Sequence, residues 1–131
     1  MKPICEIIAK ELLPAARALI ARDLIEKHGL TQKEAARRLG MTQPAISQYK
    51  QHLRGRKARI LDSTQFISEG LENISSGLAA NQINGMEATF EWCELCRRIK
   101  SSGILCELHR EIYKEMNGCE VCLREQGSSQ Q

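Results

Sequence analysis

The segment from Thr31 to Leu53 constrains this chain most. Two short apolar-periodic runs, Thr31 to Leu39 and Gln43 to Leu53, are separated only by Gly40-Met41-Thr42. Apolar residues returning at three- and four-residue steps specify helices, and Gly40 permits the positive φ that a sharp turn between them demands. Thr31 and Thr42 each precede a run, where a hydroxyl can accept the free first-turn N–H groups. Thr31 with Glu34 also has capping-box spacing. Leu39, Ile46, Tyr49 and Leu53 form the expected inner face, and small Ala35 allows the two helices to cross closely.

With those residues inward, Gln43, Pro44, Ser47, Gln48 and Gln51 point outward, next to the cap residue Thr42. A helix whose outer face carries short polar groups is what major-groove recognition requires. Glutamine can pair with adenine, serine with several bases, and Pro44 can touch a thymine methyl. Immediately afterwards Lys50, Arg54, Arg56, Lys57 and Arg59 supply five cations in ten residues without an acid, a run suited to phosphate. The overall net charge of +3 is mild, but its distribution is lopsided. Residues 1–59 hold 13 Lys/Arg against 5 Asp/Glu, and the remainder 6 against 11, so the first half is the one expected to meet DNA.

The rest of the chain also reads as helix, which makes the fold all-α. Ile4, Ile8, Leu12, Ala15, Leu19 and Ile20 trace a first helical segment with a kink or restart at Pro14 and a stop at Gly29. After a basic linker, Ile60, Thr64, Ile67, Leu71, Ile74 and Leu78 repeat at alternating steps of four and three, a short heptad-like seam that reads as a dimerisation helix. Asn84-Gly85 ends it, and two more helices are expected over Glu87 to Lys100 and Ile104 to Met116. The expected organisation is a helix-turn-helix domain at 1–55, linker and dimerisation helix at 56–85, a cysteine-rich region at 86–125 and a disordered tail at 126–131.

The stretch Leu30-Thr31-Gln32-Lys33-Glu34-Ala35-Ala36-Arg37-Arg38-Leu39-Gly40-Met41-Thr42-Gln43-Pro44-Ala45-Ile46-Ser47-Gln48-Tyr49 resembles the lambda-repressor/Cro-like (XRE) helix-turn-helix regulators. With Leu13-Pro14-Ala15-Ala16-Arg17-Ala18-Leu19-Ile20-Ala21 and the later cysteines, it is similar to a group of small archaeal transcriptional regulators. The resemblance implies a DNA-binding regulator with a cysteine-rich C-terminal domain and no settled ligand. The helices that follow the motif in a full lambda-repressor-like domain are here replaced by the basic linker and seam.

Five of the six cysteines follow one pattern, Cys93-x2-Cys96-x9-Cys106-x12-Cys119-x2-Cys122, with His109 completing a third pair beside Cys106. Two C-x2-C units point to metal, since each pair can hold one centre with two thiolates. Thiolate softness selects mainly zinc or an iron–sulfur cluster, with copper(I) ranked behind them. An iron–sulfur cluster is the preferred reading, because Cys93 and Cys96 fall in a helical stretch rather than a glycine turn, and zinc is the alternative. Cys5, beside Ile4 and Ile8, reads as core.

No apolar run approaches the roughly 18 residues of a membrane span, and acids at Glu6 and Glu11 interrupt what a signal peptide would keep apolar. A cytoplasmic location follows, and with it reduced thiols. Only five aromatics argue against stacking on single strands. No nucleophile-and-base constellation appears, so an enzyme is not expected. The expectation is a homodimeric repressor-type regulator on a palindromic operator, with metal or redox state sensed by the cysteines. The alternative is a DNA-tethered interaction adaptor with a purely structural zinc.

Overall fold

Pro14, which has no N–H to donate, sits where the first helix must change its hydrogen-bond register. In the structure, a computed structural model that describes Met1 and residues 3–124, this helix nevertheless continues. It passes through α1 (Ile4–Ile7), a π-helical turn at Ile8–Leu12, α2 (Leu13–Arg22) and a second π turn at Asp23–Lys27. The expected kink is absorbed as the wider turn just before Pro14. Gly29, at φ +70°, ends the helix, and Leu30 N–H closes back on the Leu24 carbonyl at 3.0 Å.

Then follow α3 (Gln32–Leu39), α4 (Gln43–Ser47), α5 (Tyr49–His52), α6 (Arg56–Ser63), α7 (Gln65–Ala79), α8 (Gly85–Ser102) and α9 (Cys106–Ile112), with a 3-10 turn at Lys114–Met116 and α10 (Val121–Arg124). Among the described residues there is no strand, so the all-α expectation is borne out. The tail expected at 126–131 lies outside the described residues. No described helix is long and apolar enough to cross a membrane.

Helix α2 is the axis of the packing: α3, α5, α6 and α7 all lie against it. Its Ala15, Ala16, Ala18 and Ala21 are all buried, and such short side chains let four helices approach one backbone. A single apolar cluster runs from Ile4 and Leu12 through Leu61, Ile67 and Leu78 to Ile99, Leu105 and Cys122, joining all three expected regions. A smaller cluster of Ala18, Ala21, Ala36, Ile46 and Tyr49 fastens the helix-turn-helix to the opposite side of α2.

Two expectations are corrected here. The heptad-like seam is not a free dimerisation surface, because Ile67, Leu71, Ile74 and Leu78 are each no more than 3% exposed and pack within the chain against α2 and α8. The four-three repeat is satisfied internally. Likewise, the basic linker is the helix α6, whose Ala58 and Leu61 enter the core. Beyond α7, Asn84 is more than a break. It caps α8 in a full capping box, accepting from Glu87 N–H at 2.9 Å while its own N–H donates to Glu87 Oε1 at 3.2 Å.

Candidate nucleic-acid interface and thiol cluster

The turn between α3 and α4 is built as the sequence requires. Gly40 takes the left-handed conformation at φ +68°, ψ +31°, closing α3. The Thr31 hydroxyl accepts from Glu34 N–H at 3.1 Å, and the Thr42 hydroxyl from Ala45 N–H at 3.3 Å. Each cap contributes about 0.5–2 kcal/mol to its helix. The reciprocal half of the expected Thr31–Glu34 box is absent, because Arg37 and Arg38 take the Glu34 carboxylate instead, at 2.6 and 2.7 Å. Those two guanidiniums hold the carboxyl down at about 2.

The second helix of the motif bends at Gln48 (φ −94°, ψ +4°), so α4 and α5 form one broken helix. Ile46 and Tyr49 are buried, and Leu39 and Leu53 are half-buried against the same cluster. Fully burying a side chain of Ile46's kind stabilises by roughly 1.5–3 kcal/mol. Fixing these two residues inward orients the rest. Thr42, Gln43, Pro44, Ser47, Gln48 and Gln51 are exposed as expected. The Ser47 hydroxyl donates to the Pro44 carbonyl at 2.8 Å, which leaves its oxygen able to accept.

The basic run divides. Lys50, Arg54 and Arg59 are exposed and form none of the ion pairs found among the described residues. Arg56 instead donates to Glu111 at 2.8 Å, and Lys57 pairs with Glu11, so these two cations tie α6 to α9 and to the first helix. The structure adds one cation that sequence reasoning passed over. Exposed Arg17 on α2 lines a groove with Gln48 and His52, beside the broken helix. Its distance in sequence from the motif concealed it.

The cysteines are sorted differently from their spacing. Cys93 is exposed and Cys96 half-buried, one helical turn apart on α8. Burial first, then the neighbouring Cys93 and Cys5, pushes the Cys96 thiol up to about 12. Cys119 follows Gly118, whose φ is +82°, and Cys122 is buried on α10, so this pair comes directly after a glycine turn. Cys119 and Cys122 line one pocket with His109 and, contrary to its reading as core, with Cys5. Cys5 is exposed, because Ile4, Ile7 and Ile8 together turn the buried face of α1 away from it. Ile7 was the signal, since including it places the centre of the apolar face about 100° of helical rotation from Cys5.

Cys106 opens α9, half-buried against the core, and does not line that pocket. His109 is buried and meets the Tyr113 ring edge-on at 5.9 Å between centroids. Among the described residues, no three His, Cys, Asp or Glu side chains are gathered into a ready-made metal site. The donor set itself, thiols with one imidazole, is of the soft kind that zinc and iron–sulfur centres use.

Residues 22–51 match a helix-turn-helix family model, so this segment is similar to the helix-turn-helix of DNA-binding regulators. No curated protein and no solved structure matches the chain.

Proposed function

We propose that the chain is a sequence-specific transcription regulator that reads duplex DNA through α4 and the start of α5. One observation carries this reading: Gln43, Ser47 and Gln48 are exposed on a helix whose Ile46 and Tyr49 are locked into α2. A polar face held rigidly on an apolar anchor can enter a major groove without losing its geometry. Gln43 and Gln48 then read bases, with Ser47 and Pro44 between them. Lys50, Arg54 and Arg59, joined by Arg17, meet phosphates on either side and supply salt-dependent affinity. The test is binding of the full chain to an operator selected from random duplexes. Gln43→Ala should weaken the operator complex and leave random-duplex binding unchanged, whereas equal losses on both would remove base readout from this helix.

The regulator acts as a homodimer on a palindromic operator, since two-fold symmetry in the protein asks for it in the site. With the α7 seam internal, the pairing surface is the outer side of α8. Met86 and Phe90 are 77% and 62% exposed there, opposite buried Ala88, Leu95 and Ile99. Met86, Phe90, Cys93 and Arg97 repeat at steps of four, three and four. The first half of α8 carries Glu87 and Glu91, and the second Arg97 and Arg98, so a second copy laid antiparallel brings acid to base.

The cysteine region is the controlling element. The thiols of the C-terminal region, with α10 packed against α8, are the donors of a metal centre, either an iron–sulfur cluster or zinc, whose gain or loss alters DNA binding. When bound, such a centre would supply a cross-link that ties α10 to the rest of the chain. Chelation or mild oxidation that leaves DNA affinity unchanged would favour the adaptor reading with a structural metal.

A further inference from the structure

The pocket between the start of α1 and the end of the described chain holds four potential metal donors from three places in the sequence. Cys5 lines it from α1, His109 from α9, Cys119 from the turn that leads into α10 and Cys122 from α10 itself. The surrounding packing agrees with this convergence, since α1 lies against α9 and α10 against α8. Cys5 is thus brought beside the second C-x2-C pair, although it lies 114 positions before Cys119 in the sequence.

We propose that Cys5 is a thiolate ligand of the regulator's metal centre, closing it together with Cys119, Cys122 and His109, and that Cys106 is not a ligand. This rests on the metal-centre reading above and adds to it the N-terminal helix. Three thiolates and an imidazole form one of the donor sets that tetrahedral zinc takes. On binding, Cys5, Cys119 and Cys122 each release a proton to solvent as the sulfur–metal bond forms, and His109 binds as neutral imidazole. These donors line one pocket without being gathered into a finished site, and a metal draws them together, as thiolate sites fold around their ion. Cys106 does not line this pocket, which sets it apart from the proposed ligands despite its place in the pattern.

Cys5 gives the centre a route to the DNA-binding face. Its helix runs without interruption from Ile4 to Lys27, and α2 within that helix carries Ala18 and Ala21 against Ile46 and Tyr49. A ligand bond at Cys5 therefore fixes one end of the element on which the recognition helix rests. Loss of the metal releases that end, with no new contact at the DNA face required.

The experiment is thiol protection in the full-length chain, stripped of metal under reducing, anaerobic conditions and then titrated with zinc(II). Iodoacetamide labelling is read at each cysteine by peptide mass. Exposed Cys5 should label at least tenfold more slowly once one equivalent of zinc is bound, together with Cys119 and Cys122, while Cys106 keeps its rate. Cobalt(II) in place of zinc should give thiolate-to-metal absorption that drops in Cys5→Ser and stays in Cys106→Ser, with circular dichroism verifying that both variants fold. Protection of Cys93, Cys96, Cys119 and Cys122 with Cys5 labelling unchanged would overturn the role of Cys5 and leave the metal centre standing. Absence of zinc binding, with every cysteine labelling as in the stripped protein, would overturn the centre and the Cys5 assignment together.

Discussion

Arg38 and Leu78 join the helix-turn-helix to the core: the Arg38 guanidinium donates to the Leu78 carbonyl at 2.8 Å, and to that of Ala79 at 2.6 Å. The last carbonyls of α7 have no partner within their own helix, so a cation there meets both a hydrogen-bonding need and the negative end of the helix dipole. The same guanidinium holds Glu34 on α3. Arg38→Ala should therefore destabilise the chain by about 1.5–3 kcal/mol, the range for hydrogen bonds to a charged group. Urea unfolding checks this, and Arg38→Lys should recover only part, because an ammonium cannot serve Glu34 and both carbonyls in one plane.

Glu34 also sets a pH dependence. Its carboxyl is held at about 2 by Arg37 and Arg38, below the ordinary value of 4.5 that it regains on unfolding. The contribution is thus fully present above that ordinary value and is lost as the pH falls from there toward the folded one. In the wild type minus Glu34→Gln, the difference in melting temperature should stay constant near neutrality and shrink below about pH 4.5. A difference that does not change with pH would show that Glu34 acts through shape rather than charge.

The divided basic run makes a prediction about salt. Lys50, Arg54 and Arg59 are without ion pairs among the described residues, whereas Arg56 and Lys57 are held by Glu111 and Glu11. Each phosphate contact removed lowers the slope of log affinity against log salt by about 0.9. Lys50→Ala and Arg54→Ala should each reduce the slope by that amount on any duplex. Arg56→Ala should leave it nearly unchanged.

The outer side of α8 predicts the oligomeric state. Phe90→Lys puts a charge at the centre of the proposed pairing face without touching the core, since Phe90 is exposed. Light scattering should give a dimer for the wild type and a monomer for the variant, with unchanged helix content. A dimer that survives this substitution would move the interface elsewhere.

The helix-turn-helix could be read from sequence because its determinants are local. Gly40, Thr31 and Thr42 act on residues within one turn, and Ile46 and Tyr49 share one helical face. What sequence concealed was the choice of partner. The four-three repeat from Ile60 to Leu78 states that one side of a helix is covered, and α2 and α8 of the same chain cover it as well as a second copy could. Arg56 and Lys57 looked like free cations because their acids lie 55 and 46 residues away. The cysteine spacing likewise grouped residues near in sequence, whereas the pocket groups Cys5 with Cys119 and Cys122 and leaves Cys106 out.

The central claim is that α4 reads sequence in duplex DNA. Selection of the full chain against a random duplex library tests it most directly. The expected result is enrichment of a two-fold symmetric motif with half-sites about one helical turn apart, about 10 base pairs centre to centre. Replacing Gln48 should change the enriched base at one position in each half-site. Recovery of sequences no different from the input, at every salt concentration tried, would contradict it.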